Sequence, residues 1–166
     1  MAAAAAAAAG STGPRFDLPT PDPSTQAWWE ATKGGRLLIK RCQDCGAAHL
    51  YPRPFCPSCW SERVDWEQAS GRATLYTYSI VYVNDLPPFP ERVPYVAALV
   101  DLVEGPRLMT NVVDCPHEDL RVGMDLEVTF RVETDEVTLP LFRPPPASAP
   151  AAPTSSVAAG AGVTAD

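Results

Sequence analysis

Four cysteines constrain this chain more than any other feature. Cys42 and Cys45 form one C-x-x-C pair, Cys56 and Cys59 form a second, and ten residues lie between the pairs. A short hairpin within each pair turns both sulfurs inward with backbone amides close by. Two such hairpins complete a tetrahedral four-sulfur site with bonds of about 2.3 Å. The spacing therefore predicts one structural Zn2+ ion held by Cys42, Cys45, Cys56 and Cys59. Gly46, directly after the first pair, suits the positive φ that such a knuckle needs. Trp60 follows the second pair and does not. Four thiolates leave no open coordination position, so the ion organises the chain and carries out no reaction. Two disulfides would need an oxidising compartment, and a redox-active C-x-x-C belongs at a strand–helix junction of an α/β fold, which the pattern lacks.

The chain has 166 residues, 46% of them hydrophobic, a size for one domain or one domain plus a small module. Its ends are compositionally biased: residues 1–14 read MAAAAAAAAGSTGP and residues 144–166 read PPPASAPAAPTSSVAAGAGVTAD. Neither stretch has the large apolar side chains that offset the entropy of ordering a chain, so 1–21 and 144–166 are expected to be disordered tails. The Ala run lacks the basic start of a secretion signal. No run approaches the roughly 18 apolar residues of a membrane span. The expectation is a soluble, cytoplasmic protein. Net charge is −7, and a zinc ion on four thiolates adds further negative charge. An acidic domain gains little from counterion release on nucleic acid.

Residues 24–33 (STQAWWEATK) read as a helix that Asp22 or Ser24 can cap and that Gly34-Gly35 ends, giving a helical segment over 22–35. Trp28 and Trp29 are adjacent and so are not expected to share one core stripe. Either one packs on the domain while the other covers the zinc module, or one anchors a partner protein. Leu37–Ile39 is a short strand leading into the knuckles, and 36–63 is the expected zinc ribbon. From residue 64 the texture turns to Thr, Tyr, Val and Ile, as strands require. Strands are expected over 71–83, 95–103, 107–113 and 126–132, with a short one at 137–139. The fold class is mainly β: a short N-terminal helix, a zinc ribbon, and a five-stranded barrel over 64–143.

No phosphate-binding loop, nucleophile elbow or paired acid and base stands out. Cys115 has no second cysteine at ligand spacing, and neighbouring His117 is too local to make a Cys–His pair. His49 lies between knuckles whose metal shell is already complete.

In this order, these segments resemble a known family: OB-fold proteins with an N-terminal rubredoxin-like zinc ribbon, an acyl-CoA-associated group defined by a domain of unknown function. The likeness rests on Trp29-Glu30-Ala31 with Gly35-Arg36-Leu37, Arg41 through Gly46, Pro52 through Pro57, Ser70 through Tyr78, Tyr95 through Val100, Val122-Gly123-Met124 and Thr138 through Phe142. It spans about residues 25–143; Trp60 departs from the more usual small residue after the second knuckle. The resemblance implies a non-catalytic scaffold subunit that binds and stabilises a thiolase-like acyl-CoA enzyme, and helps shape its acyl-CoA site. Lipid-transfer-protein-type aldolases acting on steroid side-chain CoA thioesters are such partners, and hotdog-fold enoyl-CoA hydratases are others. Of the family's functional residues only the four zinc cysteines carry over.

The loop after the first long strand supports a partner surface independently. Asn84 through Pro90 is apolar and stiffened by proline, and such a loop loses little entropy on docking. Leu86, Phe89 and Tyr95 are therefore candidate partner contacts, with Trp28 and Trp29 as a second surface; alternatively, Leu86 and Phe89 cap the open barrel end. The alternative function is single-stranded nucleic-acid binding, with Tyr76, Tyr78 and Tyr82 stacking on bases. The acidic balance opposes it.

Overall fold

The computed structural model describes residues 17–146; the expectations for the outer parts of both tails lie outside these residues. Helix α1 spans Gln26–Lys33. Ahead of it, the Asp22 carboxylate accepts the backbone N–H of Ser24 at 2.7 Å and of Thr25 at 3.1 Å. Those bonds, with one from the Ser24 hydroxyl, hold the Asp22 carboxyl below its usual range. At the other end the N–H of Gly35 donates to Thr32 O and that of Arg36 to Ala31 O. This crossed pair requires a left-handed residue, and Gly35 provides it with φ 69°.

Both tryptophans of α1 are buried, 8% and 9% exposed. Their rings meet edge to face with centroids 4.5 Å apart. The reason is the position of the helix. It contacts a ribbon strand on one side and two barrel strands on the other, so more than one stripe of it is covered. Trp28 Nε1 donates to Leu38 O at 3.1 Å, tying the helix to the ribbon.

The ribbon sheet has the order β2-β1-β3, built from β1 (Leu38–Cys42), β2 (Ala48–His49) and β3 (Val64–Gln68). Residues 64–68, expected within the barrel segment but not as a strand, form β3, which pairs antiparallel with all of β1, from Leu38 opposite Gln68 to Cys42 opposite Val64. A strand's composition does not name its neighbour, and this pairing places the ribbon–barrel junction at Ala69–Gly71.

The barrel is closed, with strand order β4-β5-β6-β8-β7. Its strands are β4 (Arg72–Val81), β5 (Tyr95–Leu102), β6 (Arg107–Val112), β7 (Asp125–Val132) and β8 (Thr138–Arg143). The expected five strands are present. In β5 every second residue points inward: Val96, Ala98, Val100 and Leu102 are buried. They meet Leu75, Leu108, Leu126 and Phe142 in one hydrophobic cluster, and Leu120 joins them from the β6–β7 connection. β8 was expected to stop at Leu139 and instead runs through Pro140 to Arg143. It pairs along its length with β7 but meets β6 through one parallel pair, Val112 with Phe142. A proline lacking an N–H is tolerated where one flank of the strand is so sparsely bonded.

Candidate metal centre and docking surface

Cys42 ends β1, and its N–H donates to Ala47 O, which folds the first knuckle back on the strand. The two knuckles are built alike. Gly46 N–H donates to Cys42 O at 3.0 Å, and Trp60 N–H donates to Cys56 O at 2.9 Å. Both residues are left-handed, with φ 72° at Gly46 and 63° at Trp60. The second knuckle thus has the turn that the first makes with glycine, at a cost of roughly 1–2 kcal/mol for a residue with a Cβ.

The four sulfurs lie within 4.8 Å of one another. Cys42 Sγ is 3.6 Å from Cys59 Sγ, and Cys45 Sγ is 3.6 Å from Cys56 Sγ. A tetrahedron with sulfur about 2.3 Å from its centre has edges of about 3.8 Å. The quartet therefore fits zinc, and all four cysteines are free of disulfides. Zinc holds the two knuckles together as a structural ion. Burial alone would raise the Cys56 thiol, but the N–H groups of Cys59 and Ser58 and the adjacent sulfurs bring it down to about 6. Cys59, although the Ser61 N–H favours its thiolate, is pushed up to about 12 by the sulfurs of Cys45, Cys42 and Cys56 and by burial. A metal ion bound by all four sulfurs replaces their protons. Cys42 and Cys56 are buried, whereas Cys45 and Cys59 face solvent.

Of the expected partner contacts, Trp28 and Trp29 are in the core and present little surface. Leu86 is 70% exposed and follows exposed Tyr82 and Val83. Phe89 begins a 3-10 turn over Phe89–Glu91, and its ring lies 6.0 Å from that of Tyr95. Asn84 Nδ2 donates to Tyr95 Oη at 3.0 Å. Phe89 and Tyr95 line a cavity of about 310 Å³ together with Arg92, Cys115, His117 and Arg131. Sequence reasoning set Cys115 and His117 aside, and only the folded chain brings them to the same hollow. Burial, then the Asp119 charge, pushes the Cys115 thiol up. His49 is buried in β2, and burial holds its imidazole below the usual value.

The loop over 82–94 is pinned across the barrel mouth. Arg92 donates twice to Glu133, at 3.1 and 2.9 Å, and Arg131 donates to the same carboxylate at 2.7 Å. The Glu133 side chain is only 3% exposed. Arg92→Ala is expected to lower stability by about 1.5–3 kcal/mol, since the buried carboxylate loses both Arg92 bonds and Arg131 keeps only its own to Oε1. Amide exchange should quicken within 84–94 and remain unchanged in β1. Uniform protection in the variant would mean that the pair does not hold the loop.

A four-thiolate ribbon, joined through a Trp-bearing helix to a closed five-stranded barrel, defines a class of small zinc-ribbon OB-fold proteins. Residues 29–65 match the family model described as ChsH2, rubredoxin-like zinc ribbon domain, and residues 66–131 match ChsH2, C-terminal OB-fold domain. The chain belongs to this ChsH2-type DUF35 family. It is 35% identical over 108 residues to a DUF35 domain-containing scaffold protein of Methanocaldococcus jannaschii, covering 64% of this chain and 75% of that one. It is 39% identical over 117 residues to a probable enoyl-CoA hydratase alpha subunit of Thermomonospora curvata, covering 70% of this chain and 36% of that one. The chain thus spans about a third of the hydratase subunit's length. The benzoylsuccinyl-CoA thiolase subunit BbsA of Thauera aromatica is 29% identical over 109 residues, covering 64% of this chain and 73% of that one. Among solved structures, one described as Ltp2-ChsH2(DUF35) aldolase superposes with TM-score 0.68 at 37% identity, covering 76% of this chain and 98% of that chain.

Proposed function

We propose that this protein is a non-catalytic scaffold subunit that binds and stabilises a thiolase-like acyl-CoA enzyme, such as a steroid side-chain aldolase, and helps form its acyl-CoA site. The observation that carries this is the match to the DUF35 chain of an aldolase complex at 37% identity across 98% of that chain. The thiolase-subunit relative supports the same class of partner. The hydratase-subunit relative extends it to a hotdog-fold enoyl-CoA hydratase as a second partner. Locally, exposed Tyr82, Val83 and Leu86 lead into a proline-stiffened loop, and apolar residues on a stiff loop dock at low entropic cost. The cavity behind that loop opens at the end where OB barrels usually hold ligands, which suits an acyl-CoA at the interface.

Nucleic-acid binding fits less well. Of the three tyrosines that would stack on bases, Tyr76 is already covered by the Arg107 guanidinium, 3.2 Å from its ring centre. Tyr78 packs against the core, and its hydroxyl donates to Leu120 O. Tyr82 is the most open of the three, at 65% exposed against 47% for Tyr76, and the chain is acidic.

The test is co-expression with a thiolase-like enzyme from the same genome, followed by size-exclusion chromatography with light scattering. A stable hetero-oligomer is expected, and a chain that stays alone beside every such enzyme overturns the proposal. Leu86→Asp should weaken the complex at least about tenfold, or roughly 1.4 kcal/mol. Because Leu86 is exposed, the melting temperature of the isolated subunit should not move.

A further inference from the structure

The second knuckle combines three features that the metal alone does not require. Trp60 occupies a left-handed position that glycine fills in the first knuckle, although its indole is 74% exposed. That indole stacks on Phe55, with centroids 5.4 Å apart and planes 17° from parallel. A side chain so open to water gains little from packing within this chain, so its backbone strain is not explained by the fold.

Cys59, the residue directly before Trp60, is one of the two solvent-facing members of the quartet, and Cys45 is the other. One divalent ion on four thiolates leaves the centre a dianion. Between Cys42 and Arg63 the acids Asp44 and Glu62 balance the bases Arg53 and Arg63, and Arg41, which donates to Gly46 O, is itself paired with Glu67. Arg63 is, moreover, already engaged with Asp44. The second knuckle therefore carries an exposed aromatic ring on the residue that follows an exposed thiolate of an anionic centre.

A guanidinium suits both. It stacks flat on an indole and donates N–H bonds in its plane, and it is shed of water more readily than an ammonium. The barrel already contains the same arrangement: Arg107 lies 3.2 Å over the Tyr76 ring while its Nε donates to Asp101 at 2.6 Å. We infer that Trp60, Phe55 and the thiolates of Cys45 and Cys59 form a docking site for an arginine side chain of the partner enzyme. This rests on the scaffold function proposed above and names one contact through which it acts.

The decisive variant is Trp60→Gly, because glycine is the residue the backbone prefers there. The variant should hold one zinc per chain and melt no lower than the wild type, which separates recognition from folding. Its affinity for the thiolase-like partner should fall at least about tenfold, and the affinity should depend less on salt. Trp60→Asn, which also tolerates the left-handed conformation, should behave alike. A second arm uses a hexa-arginine peptide with a hexa-lysine control, measured by calorimetry on zinc-loaded protein. The wild type should prefer the arginine peptide, and Trp60→Gly should lose that preference. Equal peptide binding by wild type and Trp60→Gly overturns the site, as does undiminished binding of the variant to an enzyme that binds the wild type. A wild type that binds the peptide selectively but no thiolase-like enzyme overturns the scaffold function and upholds the arginine site.

Discussion

Replacing Cys42 or Cys56 by serine is expected to remove zinc from the protein and unfold its ribbon. These two sulfurs are the buried members of the quartet, so the replacement leaves a poor metal ligand where water cannot compensate. Metal affinity in such ribbons is folding free energy, on the order of 10–16 kcal/mol at neutral pH, which exceeds what a short three-stranded sheet supplies by itself. The damage should spread from the metal. Cys42 closes β1, β1 carries all the pairing of β3, and Leu38 on β1 accepts the Trp28 indole bond. Loss of the ribbon therefore uncovers Trp28, and tryptophan fluorescence should shift to the red. The barrel closes through its own strand pairs, so much of the β-sheet dichroism should persist. Zinc analysis, fluorescence and dichroism together test this. A variant that retains buried tryptophans with no bound metal would falsify the structural role. Acidification should do the same reversibly, because protons compete with zinc for all four sulfurs.

The second large effect is expected at the junction between ribbon and barrel. Gly71 has φ 78°, and a Cβ built there would lie 2.4 Å from Val128 Cγ1. Its carbonyl accepts the Val128 N–H at 2.8 Å, so the two backbones cannot separate without breaking a bond that extends the β4–β7 pairing. Gly71→Ala combines a left-handed penalty of roughly 1–2 kcal/mol with an overpacking cost of roughly 1–3 kcal/mol. A loss of about 2–5 kcal/mol follows, read as a lower denaturant midpoint with full zinc occupancy. Adding Val128→Ala should recover the steric part and leave the backbone part, giving a coupling that a double-mutant cycle measures. Additive losses would show that the two residues do not meet.

Much of this was legible before the fold was known. The cysteine spacing names the metal because ligand geometry is local. β5 is legible because alternation is a property of one strand. What escaped depends on partners distant in sequence. Val64–Gln68 reads equally well as a barrel strand, and only its register with β1 assigns it to the ribbon. Pro140 reads as a stop, although β8 continues past it because its flank toward β6 is almost unbonded. Trp28 and Trp29 read as competitors for one stripe because nothing in their neighbourhood reveals a helix lodged between two bodies. Trp60 was visible as a departure from glycine, but its left-handed backbone and its stack on Phe55 were not.

The lodged helix has one more consequence. Because α1 touches β1 on one side and β7 and β8 on the other, it fastens the ribbon to the barrel. The Trp60 knuckle and the Leu86 loop are then two points of one frame, joined through this helix. A partner that matches one point gains the second almost without further loss of freedom, since the effective concentration is set by the frame. A partner whose patches are spaced differently gains only one. Selection among related acyl-CoA enzymes would then depend on a distance, and neither contact need be strong alone.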